Sequence, residues 1–271
     1  MTTTHPFDDA MSLSEIEKGR FRGATSSEYA NMTGPFGGVT AAVLLNAVLQ
    51  SEDQAHHPVA LTVNFCKAMA DGEFEITANA QRTGKYTQHW SLELIQEGTI
   101  CATASVVCGA RPEAFNHHAS GMPDVPPADA CQSHSTERMP SWFQRYDFRY
   151  AQGAPAFSRT PFEVPADSKS LLWIEDKPAR PLDYLSLAAL ADCFLLRFVH
   201  VIGTLVPAGT VSMTTYFHAT PEEIVAQGAG PILGMAEGKR FQSNFHDQHM
   251  EIWSRDGLLL ATGAQIVWYK A

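Results

Sequence analysis

The stretch HMEIWSRDGLLLATGAQIVWYK, residues 249–270, decides the fold because it predicts two strands joined by a tight turn. Apolar residues alternate with polar ones on both sides of Asp256-Gly257, and glycine takes the positive φ that such turns require. A second stretch, WSLELIQEGTICATASVVCG at residues 90–109, has the same pattern around Glu97-Gly98. Aligning the two glycines without a gap also pairs Ala102 with Ala261 and Thr103 with Thr262. The sequence therefore predicts two hairpins of one kind.

Working outward from the hairpins, the same kinds of segment precede each of them in the same order. Apolar, helix-like segments occupy residues 37–50 and 185–203. Strand-like segments that contain a Phe followed by a short polar turn occupy residues 60–68 and 211–219. Each half therefore predicts one long helix followed by several antiparallel strands, which is an α+β unit. Two such units could join their sheets edge to edge and so cover exposed strand edges.

Residues 111–140 divide these two units. The segment is rich in Pro, His, Ala and Ser and shows no hydrophobic period, which is typical of a linker that crosses the surface. The predicted organisation is an N-terminal unit at 1–110, the linker at 111–140 and a C-terminal unit at 141–271.

Composition excludes several classes of protein. The 271 residues are 45% hydrophobic and carry a formal net charge of −10, which argues against a nucleic-acid backbone as the main partner. No apolar run is long enough to predict a membrane span, and the polar, acidic first residues do not predict a signal peptide. The five cysteines are odd in number and include no CxxC, so we expect free thiols and a cytoplasmic location.

One acid interrupts the most apolar segment of the second half. Asp192 lies within LAALADCFLLRF, residues 187–198, where the pattern predicts a buried helix. A buried carboxylate is costly unless another group pairs with it or donates a hydrogen bond to it. Asp192 could pair with Arg197 or cap a structural element, or it could face a pocket between the two halves.

The glycine-rich helix entry GPFGGVTAAVLL, residues 34–45, followed by helix and meander, resembles the hotdog fold. Its duplication in one chain resembles the double-hotdog acyl-CoA thioesterases, of the bacterial acyl-CoA thioesterase II type, from about residue 15 to residue 271. The resemblance implies a tandem double hotdog, with two long central helices wrapped by a continuous curved antiparallel sheet. It also implies hydrolysis of acyl-CoA to a free carboxylic acid and CoA, with no cofactor because CoA is part of the substrate.

The same family uses an Asp, a Thr and a Gln of its second hotdog to bind and activate water. The resemblance implies Asp192 for the acid in the second long helix and Gln265 for the amide in the final strand. The threonine is expected upstream of Tyr216-Phe217-His218, which favours Thr210. Thr214 is its rival, because strand alternation places the two threonines on one face.

Further candidates concern substrate and metal binding. Gly37 and Gly38 precede a helix whose N-terminus could attract the substrate carbonyl or a phosphate, or they could only allow close packing. Thr214 completes the substrate-binding candidates. His246 and His249 form an HxxH in a predicted strand, where residues three apart face opposite ways, so no metal site is expected.

Two alternatives to a thioesterase stay open. Hydratases of the same fold use an Asp with a His five residues later, a position that Arg197 occupies here. A non-catalytic protein that binds acyl-CoA or a fatty acyl group is possible on the same scaffold. Homo-oligomerisation is expected from the fold, because hotdog sheets commonly associate.

Overall fold

The computed structural model describes residues 4–158, 160, 163 and 167–270. Within them one antiparallel sheet of 13 strands wraps around the central helices. The first half contributes two helices and six strands: α1 (Pro6–Ala10), β1 (Ser14–Glu17), β2 (Arg20–Ala24), α2 (Gly37–Gln50), β3 (His57–Phe65), β4 (Glu73–Thr83), β5 (Thr87–Gln96) and β6 (Thr99–Gly109).

The second half contributes three helices and seven strands. They are β7 (Tyr146–Gln152), β8 (Ser170–Asp176), α3 (Tyr184–Leu190), α4 (Arg197–Ile202), β9 (Ala208–Phe217), α5 (Pro221–Gln227), β10 (Ile232–Glu237), β11 (Phe241–Gln242), β12 (Phe245–Trp253) and β13 (Leu259–Tyr269). Three short 3-10 helices lie at Ser27–Tyr29, Ala128–Ala130 and Ser141–Arg145. Among the described residues, no helix is both long and apolar enough to cross a membrane.

The two halves join through the antiparallel pairing of β3 with β9. From that junction the first half runs β3-β6-β5-β4-β2-β1 and the second runs β9-β13-β12-β10-β8-β7, so the strand order is the same on both sides. Thr62 pairs with Thr214 at the junction, and their hydroxyl oxygens lie 3.0 Å apart. The repeated strand order confirms the predicted edge-to-edge union of two similar units.

Register within each half confirms the predicted alignment of the hairpins. Ala102 pairs with Phe65 in the first half, and Ala261 pairs with Phe217 in the second. Both turn glycines, Gly98 and Gly257, have positive φ. The same registers show which positions of the two halves correspond, and these correspondences bear on the site.

Each half carries a β-bulge at the same place. Between β3 and β6 the register shifts at Val59, and between β9 and β13 it shifts at Val211. A bulge adds one residue to one strand and so reverses the alternation of faces beyond it. Thr210, at the start of β9, is therefore turned toward the helices together with Met213.

Helix α2 is the central helix of the first half. Its sequence is mostly apolar, and residues 39–48 are buried, Thr40 and Asn46 included, as expected for a helix enclosed by a sheet. It packs against α3: a Cβ on Gly38 would lie 2.5 Å from the carbonyl oxygen of Ala189. Only glycine at position 38 allows the two helices to approach this closely.

The prediction of one continuous helix over residues 185–203 is wrong. Helix α3 ends at Leu190 and α4 begins at Arg197. Between them the N–H groups of Asp192 and Cys193 bond to carbonyls three residues back, a tighter turn than an α-helix makes. Phe194 then packs on Gly234, where a Cβ would lie 2.5 Å from its ring. Asp192 thus lies in a turn after a helix, not in the middle of one.

Residues 111–140 run along the outer side of the second half. Met122, Val125, Ala128 and Cys131 pack against Trp173, Leu233 and Trp253, which belong to β8, β10 and β12. The segment therefore covers the outer face of strands whose other face is turned to the central helices.

Candidate active site

Asp192 faces the first turn of α2. The carboxyl group is buried, with 8% of the residue exposed, and a Cβ on Gly37 would lie 2.7 Å from its Oδ2. Phe36, which precedes α2, offers no side-chain cap, so the first N–H groups of the helix have no acceptor from that residue. The break between α3 and α4 turns the Asp192 side chain toward the helix start.

Burial has the largest influence on the pKa of Asp192. Loss of hydration raises the pKa of Asp192 to about 7, while hydrogen bonds from the Gln265 side chain and the Gly38 backbone N–H oppose that rise. An acid with this pKa can both accept and return a proton near neutral pH.

Gln265 connects Asp192 to Thr210. The Thr210 hydroxyl donates to the Gln265 side-chain oxygen over 2.8 Å. That bond leaves the amide NH₂ group of Gln265 for the Asp192 carboxyl group. The structure therefore brings together the three residues that the sequence singled out: Asp192, Thr210 and Gln265.

Thr214 lies elsewhere. The prediction that it shares a strand face with Thr210 is wrong, because the bulge at Val211 separates them. Thr214 lies on the outer face of the sheet, where its hydroxyl contacts Thr62. The structure thus separates Thr214 from the group around Asp192.

Gly37 and Gly38 serve close packing and also lie at the site. A Cβ at either position would collide with a neighbour, Asp192 at the first and Ala189 at the second. At the same time, the Gly38 backbone N–H lies beside the Asp192 carboxyl group and lowers its pKa. The close-packing interpretation is therefore confirmed, and substrate binding by the glycine pair stays a prediction.

Arg197 is not the partner of Asp192. Its guanidinium is fully buried and donates to the carbonyl oxygens of Leu195 and Ser168 and to the Ser170 hydroxyl. Among the described residues it forms no salt bridge. The ion-pair interpretation of Asp192 is therefore wrong.

Two residues near the site carry no signal in the sequence. The ring of Phe65 would lie 3.4 Å from a Cβ on Gly37, so it lines the region beside Asp192. Gln248 is the cross-strand neighbour of Gln265. Finding either residue requires the strand register, which a single sequence does not provide.

The buried carboxyl group makes stability depend on pH. Its folded pKa, about 7, lies above the ordinary value near 3.9, so the folded state binds more protons and loses stability as pH rises between those values. We expect Asp192→Asn to remove this loss. The free energy of unfolding of the variant relative to wild type should rise by at most about 1.4 kcal/mol per pH unit from pH 4 to 7 and then level off.

Urea unfolding of both proteins at a series of pH values measures this difference. If the free energies of unfolding of wild type and variant changed in parallel with pH, the raised pKa of Asp192 would be contradicted.

Comparison with known proteins gives the family. A family model described as acyl-CoA thioesterase N-terminal domain matches residues 25–109, and one described as acyl-CoA thioesterase C-terminal domain matches residues 119–269. No curated protein matches the chain.

Solved structures agree on the fold. A conserved hot dog fold protein of unknown function from Alicyclobacillus acidocaldarius is 40% identical, with 99% of both chains covered and a TM-score of 0.94. An acyl-CoA thioesterase II from Mycobacterium marinum is 16% identical, with 97% of this chain and 98% of the other covered and a TM-score of 0.76. With two family matches that together span most of its length, the chain belongs to the acyl-CoA thioesterase family and has its double-hotdog fold.

Proposed function

We propose that the chain hydrolyses acyl-CoA to a free carboxylic acid and CoA, with Asp192, Thr210 and Gln265 holding and activating one water molecule. The observation that supports this most is the hydrogen bond from Thr210 to Gln265, whose side chain lies beside a buried Asp192 and lowers its pKa. Membership of the acyl-CoA thioesterase family supports the substrate class.

The directions of the hydrogen bonds define what a bound water can do. Thr210 has one hydroxyl proton, and it goes to Gln265. Toward a water molecule, Thr210 is therefore an acceptor, and so is the ionised Asp192 carboxylate. A water that donates one proton to each acceptor keeps its lone pairs free to attack a carbonyl carbon.

The proposed reaction needs no covalent enzyme intermediate. As the water oxygen bonds to the thioester carbon, Asp192 takes one water proton and the carbonyl oxygen becomes an oxyanion. Collapse breaks the C–S bond, and the leaving CoA thiolate takes the proton from Asp192. A carboxyl group with a pKa of about 7 can protonate a thiolate, whose ordinary pKa is about 8.5. The carboxylic acid product then loses its own proton to solvent.

The start of α2 is the proposed oxyanion site. Its first backbone N–H groups are not capped by the Phe36 side chain, and the positive end of the helix dipole lies beside Asp192. Gly37 is partly exposed and faces Asp192, which supports it as a substrate-binding position, while the buried Gly38 supports the site through its backbone N–H.

The residues around Asp192 favour hydrolysis over two other functions, hydration and non-catalytic binding of acyl-CoA. A hotdog hydratase would need a His at position 197, where the buried Arg197 bonds to carbonyl groups instead. A protein that only binds acyl-CoA would have no use for a buried acid with a pKa near neutrality, and it would bind acyl-CoA without releasing CoA thiol.

Release of free CoA thiol from a panel of acyl-CoAs, short to long, tests the proposal. We expect Asp192→Asn to lower kcat/KM by about 10²–10⁴-fold, the usual contribution of a positioned base. In wild type, kcat/KM should rise with pH through about 7, because only the ionised carboxylate accepts a proton. Circular dichroism of the variant establishes that it is folded.

Thiol release by Asp192→Asn at the wild-type rate would show that another group activates the water. Tight acyl-CoA binding with no thiol release by wild type would support the non-catalytic alternative.

The two threonines provide a matched pair of substitutions. We expect Thr210→Val to lower kcat by at least about tenfold, because it removes one acceptor for the water and frees the Gln265 oxygen. Thr214→Val is the same chemical change on the outer face of the same strand and should leave kcat within about twofold. Equal losses in the two variants would contradict the assignment of Thr210.

We also propose a homo-oligomer that forms through the outer face of β12 and β13. Phe245, Ile266 and Trp268 are large apolar side chains exposed there, and Phe245 pairs with Trp268 across the strands. We expect light scattering to give a multiple of the chain mass for wild type and a lower multiple for Trp268→Glu. A monomeric wild type would overturn this proposal.

A cytoplasmic location completes the proposal. Its support is that all five cysteines are free thiols, two of them not buried, which suits a reducing compartment.

A further inference from the structure

Gln248 lies beside the candidate catalytic residues with one polar atom unused. It pairs with Gln265 across β12 and β13, so the two side chains share the face turned toward the helices. Its oxygen accepts the backbone N–H of Arg197 over 3.2 Å. Its Nε2 has no hydrogen-bond partner in the described part of the chain, although only 1% of the residue is exposed.

His246 lies two residues earlier on the same strand and therefore on the same face. Its Nδ1 lies 2.9 Å from the Asp247 carbonyl oxygen, which can only accept, so Nδ1 carries the proton. Burial lowers the pKa of His246, which keeps the ring neutral. Its Nε2 is then a free lone pair, also buried and without a partner among the residues described.

The pair thus offers one unused donor and one unused acceptor. Other buried polar atoms without partners are scattered through the described residues, but Gln248 and His246 are the two that lie two residues apart on one face of one strand, next to Gln265. Unsatisfied buried polar groups are disfavoured, so a group of them beside a candidate active site points to a ligand that supplies the missing partners.

The hotdog fold itself does not require these two side chains. In the first half, Trp90 pairs with Val106 as Gln248 pairs with Gln265, and Gln88 pairs with Cys108 as His246 pairs with Val267. The amide of Gln88 is fully bonded, to Ala55, Asp53 and Thr83. The position of His246 can therefore hold an internally bonded amide. Trp90, at the position of Gln248, has a buried ring nitrogen that is also without a partner in the described residues.

The surroundings indicate which part of a substrate reaches this place. The rings of Phe198, Phe241 and Tyr269 lie 6.1, 5.0 and 5.7 Å from the His246 ring. The charged nucleotide of CoA would lose its hydration in such an environment, whereas an acyl chain would not. A substrate with its thioester at Asp192 would therefore present its acyl part to Gln248 and His246, close to the carbonyl end because Gln248 neighbours Gln265.

We propose that Gln248 and His246 are specificity-determining residues that bind a hydroxyl group on the acyl chain, close to the thioester. The inference rests on the proposed thioesterase function. A hydroxyl accepts from Gln248 Nε2 and donates to His246 Nε2, and so satisfies both atoms. A keto group would satisfy only Gln248, and a carboxylate would face the lone pair of His246. An unsubstituted chain leaves both unsatisfied.

The test compares pairs of acyl-CoAs that are identical except for one hydroxyl near the carbonyl. Wild type should prefer the hydroxylated member in kcat/KM by about tenfold or more. Gln248→Met and His246→Phe keep the approximate volume and remove the unused polar atom, together with the internal hydrogen bond to the Arg197 N–H or to the Asp247 carbonyl oxygen. Each should reduce that preference to about twofold or less. The preference is a ratio of two substrates within one variant, so a general loss of activity does not change it.

Gln88→Met is the matched control, because it is the same substitution at the position corresponding to His246 in the other half. It should lower thermal stability, since it removes three hydrogen bonds, but leave the substrate preference unchanged. Binding of thioether analogues of the same pairs, measured by calorimetry, separates this inference from the proposed function, because it needs no hydrolysis.

A hydroxyl preference in binding without any thiol release would support the pair and overturn the thioesterase. Thiol release with no hydroxyl preference in wild type would overturn the proposed role of Gln248 and His246 but not the proposed thioesterase function. The same preference in wild type, Gln248→Met and His246→Phe would also overturn the pair.

Discussion

The pairing of β3 with β9 is the interaction on which the rest of the structure depends. It makes one sheet out of two, and it places the start of β9 beside the end of β3. As a result Thr210 belongs to one half of the chain while Phe65 and the start of α2 belong to the other. A site at this place needs both halves in contact, so neither unit can complete it alone.

Polar groups are distributed unequally over two units of similar build. Where the second half has Thr210 and Gln265 on paired strands, the first half has Pro58 and Val106 in the corresponding registers. Tyr184, at the start of α3, packs edge-on against Phe217, whereas Gly37, at the start of α2, has no side chain and is approached by Phe65 and Asp192. One of these two corresponding places is therefore filled by aromatic and apolar side chains and the other holds polar ones, although the two units share a scaffold.

The sequence predicted the parts of this structure that depend on local patterns. Alternation around Gly98 and Gly257 defined the hairpins, because turn geometry is set by the few residues at the turn. Asp192 could be predicted as a candidate site residue because it is the one acid in an apolar run. The end of the helix after Leu190 could not be predicted from the sequence, because the apolar run continues there without Gly or Pro. The feature that accompanies the break is tertiary, the packing of Phe194 on Gly234. The bulge at Val211 could not be predicted from the sequence either, and it determines that Thr210, and not Thr214, faces the helices.

The matching bulges at Val59 and Val211 show that backbone geometry and side-chain chemistry vary independently in this chain. The second bulge turns the Thr210 hydroxyl toward the helices, and the first gives Pro58 the corresponding place in the other half. The same local change of register therefore accommodates a polar side chain in one half and an apolar one in the other. A change of one residue at such a position alters the polarity of the interior and leaves the pairing of the strands as it is.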